Sequence, residues 1–198
     1  MHVNAKDKIG LIILAAGGSS RLGRPKQQLP FKTSTLLQHA SHVALDSDCK
    51  PVVVVLGASA EESKKDLENV PVEIMVNDLW QEGMSSSIKV GLSRLLEISP
   101  DTDGVILMVC DQPYVTPHLI RKMIKAWLQS GKGILACTYS GTMGTPALFA
   151  KDYFQDLQSL QGPDGAKKVL LAYQSFVNLI PFPLGQVDID TPEDYNNL

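Results

Sequence analysis

Residues 9–27 read IGLIILAAGGSSRLGRPKQ, and this stretch decides the fold. The uninterrupted apolar run Ile9–Ala15 passes directly into a glycine- and serine-rich segment that carries Arg21, Arg24 and Lys26. A continuous apolar run of this kind is typical of a strand that is covered on both faces, as in a parallel sheet. A glycine-rich turn after such a strand brings backbone N–H groups close to an anion. The stretch therefore predicts a buried strand followed by an anion-binding loop.

Three further runs rich in valine and isoleucine predict strands of the same type: Val52–Leu56, Val105–Val109 and Ile134–Cys137. Between them, three segments have the apolar spacing of amphipathic helices, within residues 36–44, 88–96 and 119–127. Alternating strands and helices predict a single three-layer α/β/α domain with a mostly parallel, Rossmann-like sheet. We expect residues 1–8 to form a polar tail and residues 9–198 to form the domain.

The composition excludes several classes of protein. With 198 residues, of which 44% are apolar and 20% charged, the chain can form one sizeable core and is not intrinsically disordered. Its net charge of −3 lacks the basic excess of nucleic-acid-binding proteins, so we expect a small polyanion as ligand. No segment approaches the roughly 18 apolar residues of a membrane span. Three cysteines without C-x-x-C spacing indicate reduced thiols and a cytoplasmic location.

The glycine-rich loop resembles two phosphate-binding motifs without matching either. Gly18 and Gly23 have the spacing of a P-loop, but Arg24 and Pro25 stand where that motif requires Lys and Ser or Thr. The G-x-G-x-x-G fingerprint of dinucleotide-binding sites is also missing. A small-residue loop that carries three cations suits a triphosphate, and a solvated surface turn is the alternative interpretation.

Two carboxylates from distant segments are candidates for magnesium binding. Asp111 directly follows a predicted strand, and Asp190 lies in the sequence DIDTPEDY of residues 188–195. In that sequence Thr191 and Asp194 form a helix-capping pair, which leaves Asp188 and Asp190 at the end of a strand without a capping role. Mg²⁺ in proteins takes one or two carboxylates and completes its shell with water and phosphate oxygens. Asp111 as a loop hydrogen-bonding residue is the alternative.

Other segments also admit two interpretations. The sequence GMSSS that begins at Gly83 is either a serine-capped helix start or a polar contact for a nucleotide. The two tryptophans, Trp80 and Trp127, are interpreted as packing residues. Lys167 follows a glycine-rich turn and either meets a second substrate or remains solvated.

The pattern Leu-Ala-Ala-Gly…Ser-Arg-Leu-Gly…Pro-Lys of residues 14–26 resembles the signature of the MobA-like nucleotidyltransferases. This family includes the enzymes that attach a nucleotide to molybdopterin. The resemblance extends from about Ile9 to Leu198, through five motifs in the family's order. It implies a fold of the glycosyltransferase-A, or nucleotide-diphospho-sugar transferase, type and a Mg²⁺-dependent transfer reaction.

The resemblance also implies roles for individual residues. It makes Lys26, Arg21 and Asp111 catalytic, and Asp111 and Asp190 the ligands of Mg²⁺. The residues expected to bind the nucleotide are Leu14, Ala15, Ala16, Gly17, Gly18, Ser19, Arg21, Lys26, Gly83, Ser85 and Ser86. Those expected to face the acceptor are Gly144, Thr145 and Lys167, with Thr145 standing where relatives often have His.

The implied reaction joins CMP from CTP to the terminal phosphate of a molybdopterin-type acceptor and releases pyrophosphate. Ala15-Ala16-Gly17 resembles the cytidylyltransferase branch, whereas the guanylyltransferase branch tends to have Ala-Gly-Gly. The same chemistry with GTP or another phosphorylated acceptor remains an alternative. So does a non-catalytic maturation partner that delivers molybdenum cofactor to a client molybdoenzyme. The missing G-x-G-x-x-G argues against a third alternative, a nicotinamide-dependent oxidoreductase.

Overall fold

The structure, a computed structural model, describes residues 7–19, 22–131 and 133–198. Its strands are β1 (Ile9–Ala15), β2 (Pro30–Phe31), β3 (Ser34–Thr35), β4 (Val52–Leu56), β5 (Glu73–Val76), β6 (Gly104–Val109), β7 (Ile134–Tyr139), β8 (Thr142–Ala150) and β9 (Val177–Pro181). Its α-helices are α1 (Leu36–Leu45), α2 (Ala60–Asp66), α3 (Met84–Ile98), α4 (Pro117–Gln129), α5 (Phe154–Gln158), α6 (Ala166–Ala172) and α7 (Pro192–Asn196). Short 3₁₀ turns include Trp80–Glu82 and Pro183–Gln186.

Strand β1 lies inside a seven-stranded sheet with the order β5–β4–β1–β6–β8–β7–β9. It pairs in parallel with both neighbours, so that Leu11 lies opposite Val52 on one side and Ile106 on the other. All seven residues of β1 are buried, as its continuous apolar sequence predicts. Strand β8 is the antiparallel member, paired with β6 and β7, and the sheet is otherwise parallel.

Helices cover both faces of the sheet. Leu11 and Ile13 of β1 belong to an apolar cluster that includes residues of α1 and α4. Ile12 and Leu14, which alternate with them, belong to a second cluster that includes residues of α3, α5 and α6. Because successive side chains of a strand point to opposite faces, alternate residues of β1 pack against different helical layers. The prediction of a single three-layer α/β/α domain is confirmed.

Most predicted elements agree with the structure in position. Ile9–Ala15 and Val52–Leu56 are confirmed with the same bounds, whereas β6 begins one residue earlier and β7 ends two residues later than predicted. The three predicted helical segments lie within α1, α3 and α4. The antiparallel direction of β8 was not predicted from the sequence. A tight hairpin with positive φ at Ser140 (49°) and Gly141 (72°) reverses the chain there.

The proposed tail, residues 1–8, falls largely outside the described residues, which begin at Asp7. Its boundary with the domain therefore stays a prediction. The three cysteines are free and buried. Among the described residues, the helices are too short or too polar to cross a membrane.

Candidate active site

The segments that carry the candidate residues meet at one end of the sheet. The loops that follow β1 and β6 leave neighbouring parallel strands at their carboxyl ends. Residues 187–190 reach the same place, because the backbone N–H of Ile189 donates to the carbonyl oxygen of Asp111 at 3.2 Å. Ligands of open α/β sheets bind outside these carboxyl ends. The topology therefore brings Lys26, Asp111 and Asp190 together.

Lys26 lies between the two carboxylates. Its Nζ donates to Asp111 Oδ2 at 2.5 Å and to Asp190 Oδ1 at 2.9 Å. The Lys26 and Asp111 side chains are 15% and 16% exposed, so water screens their attraction only weakly. Burial by itself lowers the pKa of Lys26, but the charge and hydrogen bond of Asp111, together with the hydrogen bond of Asp190, raise it above its ordinary value. The ammonium group therefore stays charged at neutral pH.

A third carboxylate, Asp188, lines the same charged region. Burial, followed by the negative charges of Asp111 and Asp190, raises the pKa of Asp188 above its ordinary value. The sequence placed Asp188 and Asp190 at the end of a strand, and this is wrong. They lie in an extended loop between the turn Pro183–Gln186 and α7. The capping box of Thr191 and Asp194 is present as predicted and anchors the end of that loop.

The donor set around Lys26 fits a divalent cation. Asp111 and Asp190 each place one oxygen on the same positive charge, the ammonium of Lys26. A site that already holds a cation between two carboxylates has the hard oxygen donors that Mg²⁺ and Mn²⁺ prefer. These two carboxylates are therefore the residues able to hold such an ion.

A first cavity, of about 320 Å³, opens beside this charge cluster. Its lining comes from the loop after β1, the start of α3 and the end of β6: Leu14, Ala15, Ala16, Gly17, Lys26, Gln27, Trp80, Gln81, Gly83, Met84, Ser87, Val109, Cys110 and Asp111. Of the residues expected to bind a nucleotide, those that line it are Leu14, Ala15, Ala16, Gly17, Lys26 and Gly83. Those absent from the lining are Gly18, Ser19, Ser85 and Ser86. Arg21 lies outside the described residues.

Three adjacent serines in the first turn of α3 have different surroundings. Ser85 Oγ donates to the carbonyl oxygen of Gly162 at 2.8 Å. Asn77 Nδ2 donates to Ser86 Oγ at 2.8 Å and to Ser87 Oγ at 2.9 Å. The hydroxyls of Ser85 and Ser86 thus fix the start of the helix, and Ser87 is the serine that lines the first cavity. The sequence could not distinguish three identical neighbours.

The N-cap of α3 is Gly83, not a serine. Its φ is +110°, in a region that side-chain-bearing residues rarely adopt. A Cβ at Gly83 would also overlap the carbonyl of Gly162 in the loop before α6. The backbone of these two segments can therefore approach closely only because residue 83 has no side chain.

Trp80 and Gln27 are two of the seven lining residues of the first cavity that were not among the candidates. Trp80 was interpreted as a packing residue, but it is half-buried and lines the cavity, with its ring next to Gly18. Gln27 is buried, and its Nε2 donates to the carbonyl oxygens of Ala15 at 2.8 Å and Gly17 at 2.9 Å. Its amide therefore fixes the path of the loop after β1. In the sequence, the position of Gln27 directly after Lys26 was the feature that could have indicated this role.

The other loop residues make internal contacts. The backbone N–H of Lys26 donates to Ser19 Oγ at 3.0 Å, which closes the loop. The guanidinium carbon of Arg24 lies 5.3 Å from the centre of the Tyr195 ring. Arg24 therefore contacts an aromatic ring of α7. Trp127, the other tryptophan interpreted as packing, is fully buried.

A second cavity, of about 340 Å³, lies on the other side of Met84 and Val109. Its remaining lining residues are Leu14, Tyr139, Thr142, Met143, Gly144, Thr145, Gly165, Ala166, Lys167 and Leu170. All three residues expected to face the acceptor are among them. A connecting cavity of about 350 Å³ joins this region to the carboxylates, and its lining includes Gln112, Asp188 and Asp190. Met84 and Val109 line all three cavities.

The comparisons with known proteins agree with this geometry. Residues 11–176 match the model of the MobA-like NTP transferase domain, which is most of the chain. The chain belongs to the MobA-like NTP transferase family. It is 28% identical to the molybdenum cofactor cytidylyltransferase of Escherichia coli K12 over 190 residues, which cover 94% of this chain and 93% of that protein. It is 36% identical to the nicotine blue oxidoreductase of Paenarthrobacter nicotinovorans over 116 residues. That match spans only 57% of this chain and 54% of the other.

Solved structures show the same fold. The crystal structure of Rv0371c from Mycobacterium tuberculosis H37Rv has a TM-score of 0.85 and 29% identity, and the superposition covers 98% of both chains. A complex of Rv0371c with manganese has a TM-score of 0.79 and 28% identity over 96% of this chain and 97% of that one. The nucleotide-diphospho-sugar transferase type of fold is thus confirmed.

In this MobA-like domain, Gln112 links the carboxylate loop to the second cavity. Its Nε2 donates to the carbonyl oxygen of Gly185 at 2.8 Å and to the hydroxyl of Tyr139 at 3.2 Å. The hydroxyl of Thr145 donates to Gln112 Oε1 at 3.0 Å. Thr145 therefore serves this amide network. Gln112 was not among the residues predicted from the sequence, although it directly follows Asp111.

Proposed function

We propose that this chain joins a CMP moiety from CTP to the terminal phosphate of molybdenum-bound molybdopterin and releases pyrophosphate. The observation that carries the proposal is the cluster of Lys26, Asp111 and Asp190, which lies where the first and connecting cavities meet. A triphosphate in the first cavity and an acceptor in the second would bring their phosphates together at this cluster. Positioning of that kind supplies much of the catalysis in phosphoryl and nucleotidyl transfer.

The reaction needs no nucleophile from the protein. An oxygen of the acceptor's terminal phosphate attacks the α-phosphorus of CTP, a new P–O–P bond forms, and the bond to pyrophosphate breaks. Lys26 keeps its charge because its pKa is raised, and it exchanges its carboxylate partners for phosphate oxygens. Its charge then offsets the negative charge on the departing pyrophosphate. Arg21, which lies outside the described residues, is proposed for the same role.

Asp111 and Asp190 are proposed to hold a Mg²⁺ ion. Their two oxygens share one cationic partner, which supports a common ion. The manganese complex of Rv0371c supports a divalent cation in this family. A bound Mg²⁺ would supply charge neutralisation at the triphosphate.

The first cavity is proposed to hold the nucleotide. Leu14, Ala15, Ala16 and Gly17 would contact the base, and the loop that continues through Gly18 and Ser19 would surround the phosphates. The preference for CTP rests on Ala16 and on the near-full-length similarity to a protein named molybdenum cofactor cytidylyltransferase. Because Gly83 and Ser87 line the first cavity, whereas Ser85 and Ser86 do not, we propose Gly83 and Ser87 as the contacts from α3.

The second cavity is proposed to hold the molybdopterin-type acceptor. Gly144 and Thr145 form one wall, and Lys167 provides a positive charge for a phosphate. We further propose that the product is passed to a client molybdoenzyme. The three free cysteines support a reducing compartment, the cytoplasm, as the place of the reaction.

The test is pyrophosphate release with CTP and GTP in parallel, each with and without molybdenum cofactor. We expect release that requires both CTP and the cofactor. Release of pyrophosphate with GTP and not with CTP would show that GTP is the nucleotide substrate. Binding of molybdenum cofactor without any release of pyrophosphate would indicate that the chain is a non-catalytic maturation partner and not an enzyme.

An oxidoreductase is the second candidate, favoured by the 36% identity to the nicotine blue oxidoreductase. The partial coverage of that match and the missing G-x-G-x-x-G argue against it. Oxidation of a reduced nicotinamide cofactor by the purified chain, coupled to reduction of an added electron acceptor and with no pyrophosphate release, would establish it.

A further inference from the structure

Strand β9 forms one edge of the sheet, and no further strand lies beyond it in the described part of the chain. One side of β9 pairs in parallel with β7, with Val177 opposite Ile134. The other side presents backbone N–H and C=O groups that the sheet leaves unpaired. Asn178, Leu179 and Pro181 are exposed, so this edge is accessible.

The segment around β9 carries no charged side chain. Residues 169–187 are 19 consecutive residues without Asp, Glu, Lys or Arg, in a chain that is 20% charged. Edge strands usually carry charges that keep other strands away. The opposite edge of this sheet does so, because Glu73 of β5 binds Arg94 at 2.6 Å. The β9 edge lacks that protection.

Exposed apolar side chains are concentrated in the same segment. The described residues expose eight large apolar side chains, and half of them lie between positions 171 and 184. These are Leu171 (52% exposed), Phe176 (70%), Leu179 (53%) and Leu184 (52%). Leu179 lies on β9 itself and Phe176 directly precedes it, so the edge presents apolar side chains that a partner can cover.

We propose that the β9 edge binds the same edge of a second copy of this chain, antiparallel, about a twofold axis at Leu179. A twofold interface must be complementary to itself, and an uncharged strand meets its copy without like-charge repulsion. Centring on Leu179 places Val177 of one copy opposite Pro181 of the other. Proline, which has no N–H to donate, then falls at the end of the ladder, where the loss is smallest. The two Leu179 side chains form a cross-strand apolar pair.

Sedimentation velocity over about a hundredfold range of protein concentration tests this association. The wild-type chain is expected to change from monomer to dimer. Leu179→Lys, which places a charge on the twofold axis, is expected to weaken the dimer at least about tenfold. The matched control is Ile98→Lys, the same kind of change at an exposed residue of α3, which is expected to dimerise like the wild type. Circular dichroism checks that both variants fold.

Hydrogen exchange of the wild-type chain measures the pairing itself and is independent of any variant. Among residues 177–180, the amides that face away from β7 are expected to gain protection as the concentration rises. A wild-type chain that stays monomeric would overturn the proposal. So would a Leu179→Lys variant that dimerises unchanged, or a dimer whose new protection lies away from β9.

Discussion

The first and second cavities open at the same end of the sheet, but different groups form them. Backbone of the loop after β1 forms part of the wall of the first cavity. The Gln27 side-chain amide holds that backbone in place through hydrogen bonds to two carbonyl oxygens. The first cavity ends at the ion pair of Lys26 with Asp111. The second is lined by Tyr139, Met143, Leu170 and their neighbours, with Lys167 as the charged residue among them.

On the proposed assignment of the two cavities, this difference predicts how each substrate is recognised. Phosphates carry the same charge in every nucleoside triphosphate, and a loop that carries positive charge suits such a constant group. An acceptor is distinguished by its shape, and apolar walls formed by the β7–β8 hairpin and α6 select by shape. Variants of the first cavity should therefore affect the rate with any acceptor, whereas variants of the second should affect one substrate.

The largest effect is expected for Asp111→Asn. The change keeps the shape of the side chain but removes the charge that holds Lys26 and the proposed metal, so pyrophosphate release should fall by roughly 10³-fold. Asp101→Asn is the control, because Asp101 forms an exposed ion pair with Lys8. A folded Asp111→Asn variant that releases pyrophosphate at the wild-type rate would contradict the proposed role of Asp111 in the reaction.

Lys26→Met is expected to rank second. Loss of the ammonium removes the charge that faces the departing pyrophosphate, and the rate should fall by about 10²-fold with every acceptor tested. Lys125→Met on the exposed face of α4 provides the comparison. An effect confined to the KM of the acceptor would contradict the assignment of Lys26 to the nucleotide half.

Substitutions at two glycines of the first cavity distinguish an effect on stability from an effect on nucleotide binding. Gly83→Ala forces a side chain into a left-handed φ and against Gly162, so we expect a free energy of unfolding lower by about 1 kcal/mol or more. Gly17→Ala meets open space, so it should leave thermal stability unchanged. If a nucleotide approaches Gly17 closely, the KM for CTP should still rise by about tenfold. An unchanged KM in Gly17→Ala would place the base elsewhere.

The smallest effect is expected for Lys167→Ala in the second cavity. The KM for the acceptor should rise several-fold, because the variant loses the binding free energy of one partly solvated charge contact. The KM for CTP should stay constant. Lys168→Ala is the matched control, because Lys168 binds Asp164 at 2.7 Å on the surface. Equal effects of the two variants would indicate a general charge effect.

Local patterns in the sequence were enough to predict several elements and candidate residues. The bounds of β1 and β4 follow from continuous apolar runs, because a strand covered on both faces needs apolar residues at every position. The capping box at Thr191 follows from residues three apart in sequence. Asp111, Lys26 and Asp190 were likewise visible, because Asp111 follows an apolar run, Lys26 follows the glycine-rich loop and Asp190 precedes the capping box.

Other features depended on contacts between distant segments. Which of three adjacent serines lines the first cavity depends on how the start of α3 packs against the loop at Gly162 and against Asn77, and Ser87 is the one at the cavity. Trp80 and Gln112 gain their places only when separate loops meet at one end of the sheet. The same holds for the partners of Lys26, which lie 85 and 164 residues away along the chain.

The sequence by itself therefore determined the central parallel strands, the helices beside them and the chemical types present at the site. Hydrophobic periodicity and capping act over a few residues, so they can be read directly from the chain. The tertiary structure decided which hydroxyls and amides are used internally, which face a cavity, and that one ammonium binds two carboxylates. Those outcomes depend on the packing of elements far apart in sequence, which no local pattern encodes.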